Sequence, residues 1–96
     1  MSNVTKVQVL ELAQSKLDEL VELVSQLIQI PSENPVGTQR EVVDFVKNYL
    51  KEAGIPCEET GSNPEFPCVV AKIGQEEGFS VILNGHVDVV PAGDRN

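Results

Sequence analysis

His86 and Asp88 are the residues whose types and spacing could do chemistry. His86 is the single histidine in 96 residues. A neutral imidazole is a good ligand for zinc-like metals. Asp88 follows two residues on, and positions i and i+2 of an extended chain face the same side. If the chain stays extended there, both side chains project into one cleft. The carboxylate then has two roles open to it. It can bind the same metal, or it can accept the other ring N–H and so fix the tautomer. A catalytic zinc usually takes three protein ligands and a water. His86 and Asp88 supply at most two, and the only carboxylate after them is Asp94. On spacing alone, a lone histidine at a strand end is more often a hydrogen-bonded structural residue than a metal ligand.

The other chemistry-bearing residues give less. Cys57 and Cys68 fall on neighbouring predicted strands, where a Cys/Cys/His zinc site with His86 is conceivable. They lack Cys-x-x-Cys spacing, so buried free thiols are the expected reading. No local motif supports Cys68 as a nucleophile activated by His86. Glu58-Glu59 and Glu76-Glu77 read as solvated edge and turn residues. No Gly-x-Gly-x-x-Gly or Walker pattern occurs, so a phosphate-cradling loop is not expected.

The elements that must position His86 and Asp88 come next. Phe79 to Asn84 contains a short apolar run, Val81 to Leu83, that reads as a strand buried on both faces. It leads through Gly85 into His86, and Pro91 stops further pairing. Ligands of open α/β sheets bind outside the carboxyl ends of strands, which is where His86 would sit. Before it, Cys68 to Ile73 reads as a second strand, joined to the third by a Gly-bounded turn at Gly74 to Gly78. That spacing predicts an antiparallel hairpin of strands two and three. Ile55 to Thr60 reads as a first, edge strand.

Two helices precede the strands. From about Thr5 to Ile30, Leu10, Ala13, Leu17, Leu20, Val24 and Leu27 recur at steps of three and four. Val21 and Ile28 widen that stripe. This favours a helix packed on its own domain over a narrow coiled-coil seam. Pro31 ends it, and 32–37 is a loop by composition. Thr38 and Glu41 have capping-box spacing for a second amphipathic helix. Gly54 closes that helix in the left-handed conformation. Met1 to Val4 reads as a frayed end. The expected fold class is α/β: two amino-terminal helices, then a mixed sheet of about three strands.

Composition narrows the partners. Fifteen acids against seven bases give a formal charge of −8. That argues against nucleic acid or an anionic membrane surface, both of which need basic patches. The hydrophobic fraction of 41% is ordinary for a folded chain. No apolar run approaches a membrane span, and no signal-peptide pattern opens the chain. Two cysteines do not make a disulfide scaffold, so a cytoplasmic location is expected.

The string Asn84-Gly85-His86-Val87-Asp88-Val89-Val90-Pro91-Ala92-Gly93-Asp94 resembles the first metal-site motif of the M20 metallopeptidases. That family includes acetylornithine deacetylase, succinyl-diaminopimelate desuccinylase, aminoacylase and glutamate carboxypeptidase. Ile30-Pro31-Ser32 and Asn34-Pro35 after a long first helix, and a second helix ending at Ala53-Gly54, are similar to it too. The resemblance runs from about Leu12 onward. It implies a two-metal hydrolase, usually with zinc, with cobalt or manganese as alternatives. Such an enzyme cleaves an amide bond in an N-acyl amino acid or small peptide. His86 matches the position that ligates one metal. Asp88 matches the active-site aspartate that orients this histidine and tunes the metal. The family's bridging aspartate, general-base glutamate and further ligands come later in the chain and have no counterpart here, nor does its smaller domain. The expectation is therefore that residues 1–96 are the amino-terminal part of a zinc-peptidase-like catalytic domain, a fragment inactive alone. A different class of function is a non-catalytic module that associates with another chain, or with itself, through exposed apolar surface.

Overall fold

A computed structural model describes residues 4–34, 37–74 and 77–93. It shows a small α/β arrangement of three helices and a two-stranded antiparallel sheet. The expected frayed end before Val4, the loop residues Pro35 and Val36, part of the 74–78 turn, and Asp94 lie outside the described residues.

The amino-terminal helix expected over Thr5 to Ile30 is two helices, α1 (Lys6–Ser15) and α2 (Leu17–Gln29). Local hydrogen bonding gives the reason. The Ser15 hydroxyl donates back to the Leu12 carbonyl at 2.6 Å, competing with the helical ladder as serine does. Lys16 then leaves the helix at φ −99°, ψ 3°. The capping box lies at the start of α1. Thr5 Oγ1 accepts from the Gln8 N–H at 3.1 Å, and Gln8 Oε1 accepts from the Thr5 N–H at 2.9 Å. Ile30 turns extended ahead of Pro31 and ends α2. Neither helix buries a residue: Leu20 is 55% exposed and Ile28 77%. The expected packing of this stripe on its own domain is therefore not found. A polar contact ties α2 to the next helix, with the Tyr49 hydroxyl donating to Glu19 at 3.0 Å.

Helix α3 (Arg40–Glu52) carries the core. Val42 and Val43 are each 2% exposed, and α3 packs on both strands. It begins one residue later than Thr38 and Glu41 predict. Gln39 is its N-cap, without a side-chain cap bond. The Thr38 hydroxyl donates to the Glu65 carbonyl at 2.7 Å and accepts from the Arg40 N–H at 3.1 Å. Thr38 thus anchors the 61–67 loop. The end of α3 is as expected. Gly54 sits at φ +76°, with Gly54 N–H bonded to Lys51 O and Ile55 N–H to Leu50 O. This is the paired bonding of a Schellman motif.

Strands β1 (Cys57–Thr60) and β2 (Cys68–Ala71) pair antiparallel, Cys57 opposite Ala71 and Thr60 opposite Cys68. Arg40 clamps α3 to this sheet. Its guanidinium bonds Asp44, Glu59 and the Pro64 carbonyl, and Lys47 adds a 3.0 Å contact to Glu59. The Arg40 and Lys47 hydrogen bonds hold the Glu59 carboxyl down to about 2.

The third strand is the main correction to the expected fold. Residues 79–84 form no strand, and β2 pairs with β1. Val81, Ile82 and Leu83 are 85%, 89% and 93% exposed. A run apolar on both faces needs cover on both. The four-rung β1–β2 ladder, with α3 packed on it, does not provide that. Among the described residues, no helix is long and apolar enough to cross a membrane.

Candidate functional site

The segment carrying His86 and Asp88 is held by the turn that follows α2. Pro31 forces the chain out of the helix, and Ser32 is then buried at 3% exposure. The Ser32 hydroxyl donates to the Val87 carbonyl at 2.9 Å. The Val89 N–H donates to the Ser32 carbonyl at 3.1 Å, and the Asn34 N–H donates to the Val89 carbonyl at 2.8 Å. Together these form a parallel bridge between Glu33 and Val89. Gln39, itself buried, donates its side-chain amide to the same Ser32 carbonyl at 3.2 Å. The start of α3 and the 87–89 segment are thereby pinned to one peptide group. Gly37 closes the turn with its N–H on the Glu33 carbonyl. A Cβ at Gly37 would lie 2.9 Å from that oxygen, a contact real side chains do not make.

His86 and Asp88 come together on this segment. His86 Nδ1 lies 3.1 Å from Asp88 Oδ1 and 3.0 Å from the Asp88 main-chain oxygen. A carboxylate oxygen and a carbonyl oxygen can only accept. The contact is therefore a hydrogen bond when Nδ1 carries the proton. In the neutral ring this leaves the lone pair on Nε2, on a side chain that is 85% exposed. Of the two roles open to Asp88, the geometry is that of the partner that fixes the ring. Its other oxygen, Oδ2, accepts from Asn34 Nδ2 at 3.2 Å. The Asn34 amide, with a smaller contribution from His86, holds the Asp88 carboxyl below the usual carboxylate range, against a weaker opposing effect of burial.

Among the described residues, the two best-formed depressions do not include this pair. A surface depression of about 530 Å³ lies at the end of α3, lined by Lys47, Asn48, Lys51, Gly54, Pro56 and Cys57 among others, without His86 or Asp88. The cysteines stand at opposite ends of the β1–β2 ladder. Both are free, but Cys68 is exposed and Cys57 only half-buried, so the expected burial of both thiols does not hold. Among the described residues, no group of three or more His, Cys, Asp and Glu side chains is placed to hold a metal ion. The donor chemistry thus fits one metal position, His86 Nε2 backed by Asp88, and does not close a site.

Composition marks 32–37 as a loop and does not show what Ser32, Asn34 and Gln39 do. The signal was present. Serine and asparagine just past a helix-ending proline readily bond backbone and side-chain groups that approach them. Comparison of the chain with family models, with curated proteins and with solved structures finds no match.

Proposed function

We propose that the chain supplies the first metal-ligand corner of a metal-dependent hydrolase of the M20 type, acting on amide bonds of N-acyl amino acids or small peptides. The observation that carries this reading is the His86–Asp88 contact on Nδ1, which leaves Nε2 as an exposed, oriented nitrogen donor. The motif from Asn84 to Asp94 supports it. His86 would hold the metal through Nε2, and Asp88 would keep the proton on Nδ1 and the ring in place. A bound zinc pair, or cobalt or manganese, supplies water activation and carbonyl polarisation. The remaining ligands and the general base have no counterpart among the described residues, so the 96-residue chain is proposed to be inactive alone. On this reading Phe79 to Asn84 is a strand of a larger mixed sheet, and the chain is an incomplete part of a zinc-peptidase-like catalytic domain. Two free cysteines are in keeping with a reducing, cytoplasmic location.

Zinc titration followed on the ring nitrogens tests the ligand role. Nε2 is expected to shift and Nδ1 to stay, with no response in His86→Ala. In a longer polypeptide that carries this sequence and the missing ligands, His86→Ala should abolish hydrolysis of N-acyl amino acids. Asp88→Ala should lower it about 10- to 100-fold. Unchanged turnover after His86→Ala would remove the metal role, and zinc-dependent turnover by the 96-residue chain would remove its inactivity.

A second reading is favoured by the exposure of the 79–84 run. Phe79 to Asn84 is uncharged, free of proline and rich in strand formers, the composition that pairs with a copy of itself. The radius of gyration, 16.5 Å, exceeds the roughly 12.5 Å of a compact chain this long, consistent with apolar surface left uncovered. On this reading the chain self-associates through these residues. Light scattering should show oligomers that Ile82→Lys disperses. A monomer at all concentrations would remove the reading. Dispersal by Leu20→Lys instead would move the interface to the α1–α2 stripe.

A further inference from the structure

Among the described residues, Asn34 is the one side chain outside the 86–89 segment that hydrogen-bonds Asp88, and it does so on the oxygen that His86 leaves free. Its amide nitrogen is 3.2 Å from Asp88 Oδ2, while Asp88 Oδ1 is 3.1 Å from His86 Nδ1. The amide must face the carboxylate through its NH2 group, because its carbonyl would place two acceptors together. Asn34 is also fixed in position. Its own N–H is bonded to the Val89 carbonyl, one residue beyond Asp88, and Ser32 holds Val87, one residue before it. Asn34 and Asp88 are separated by 54 positions in sequence, yet the Ser32 hydroxyl on Val87 and the backbone bonds at Val89 hold them together from both sides of Asp88.

We infer that Asn34 is a positioning residue that sets the orientation and tautomer of His86 through Asp88. Without it, the Asp88 carboxylate is free to rotate about its side-chain torsions, and Oδ1 leaves Nδ1. The main-chain oxygen of Asp88 then remains as the other acceptor for Nδ1. Removal of Asn34 should therefore weaken the preference for the Nδ1–H tautomer without abolishing it. The inference deepens the metal-ligand reading of His86 and rests on it for its functional meaning, since the Nδ1–H tautomer is the one that leaves Nε2 free to bind.

The test is nitrogen NMR of the imidazole, which gives one set of signals because the chain has one histidine. It is run without metal at a pH where the ring is neutral. Wild type should show mainly the Nδ1–H tautomer. Asn34→Ala should lower the ratio of Nδ1–H to Nε2–H forms severalfold. In an Asp88→Ala background, Asn34→Ala should have no further effect. Asn34 is exposed, so the variant should fold, and unchanged amide signals from Val42 and Val43 report that it has. A second variant, Asn34→Asp, keeps the shape but sets a carboxylate against Asp88, and should lower the ratio at least as far. An unchanged ratio in Asn34→Ala would overturn the inference, as would an equal shift in the Asp88→Ala background. Neither measurement uses zinc or substrate. A wild-type tautomer preference with no zinc response would sink the metal reading alone, and a zinc response with no effect of Asn34→Ala would sink this inference alone.

Discussion

Ser32→Ala isolates the tie that holds the His86–Asp88 segment. The hydroxyl donates to the Val87 carbonyl at 2.9 Å, while the Ser32 carbonyl, which the substitution keeps, still accepts from Val89 and Gln39. One hydrogen bond is removed and two are left. Val87 is 38% exposed, so its orphaned carbonyl can turn to water rather than stay buried and unpaired. The cost is then that of an ordinary net hydrogen bond, about 0.5–1.5 kcal/mol, rather than the larger penalty of burying an unsatisfied group. Local opening of the 87–89 segment should become about 2- to 12-fold more populated, taking about 1.4 kcal/mol per tenfold. Amide exchange of Val89 and Asn34, whose N–H groups make the bridge bonds, reads this population directly. Val43, whose N–H lies in the core helix α3, should be much less affected. Unchanged exchange at Val89 would refute the reasoning. An equal rise at Val43 would refute it differently, by making Ser32 a support of the whole fold and not of this tie.

Val42→Ala removes two methyl groups at a position only 2% exposed, which should cost about 1–3 kcal/mol. Urea unfolding followed by circular dichroism should show it; a loss below about 0.5 kcal/mol would mean that Val42 is not in the core. The Glu59 carboxyl has its folded value lowered from 4.5 to about 2 by Arg40 and Lys47. Its contribution is therefore fully present above the unfolded value and is lost as pH falls through about 2. Acid unfolding of Glu59→Gln should lack the part of the wild-type loss between those two values, and superimposable acid profiles would count against the clamp.

What could be read from the sequence follows the range of the interactions. The end of α3 is legible because a Schellman motif is local: both bonds lie within residues 50–55. The break at Lys16 is not, because apolar periodicity is blind to the Ser15 hydroxyl that competes for the Leu12 carbonyl. Capping-box spacing occurs at Thr5–Gln8 and at Thr38–Glu41. Only the first forms: Thr38 Oγ1 accepts from the Arg40 N–H rather than from that of Glu41, while its own proton goes to the Glu65 carbonyl, 27 positions away. The apolar run at 81–83 has the composition of a paired strand and needs cover, but composition does not say where cover comes from. The His86–Asp88 contact was legible from i, i+2 alternation. The contacts of Ser32 and Asn34 were not, because they span 55 and 54 positions.

The pair's orientation therefore has a different origin from the one its sequence context suggests. A buried strand ending at His86 would have aimed the ring through sheet geometry, and no such strand forms among the described residues. The aim comes from Asp88, held by its neighbours Val87 and Val89 on the backbone and by Asn34 on the side chain. His86 itself is secured only through Nδ1 on a side chain 85% exposed. Ordering an exposed side chain costs up to about 2 kcal/mol, and a hydrogen bond of this kind returns about 0.5–1.5 kcal/mol. These nearly cancel, so Asp88 biases the ring without locking it. A bias is enough to choose the tautomer, because the alternative Nε2–H form would face two acceptors at Nδ1 with no proton between them. Full ordering of the ring requires a second bond, and the atom left for it is Nε2.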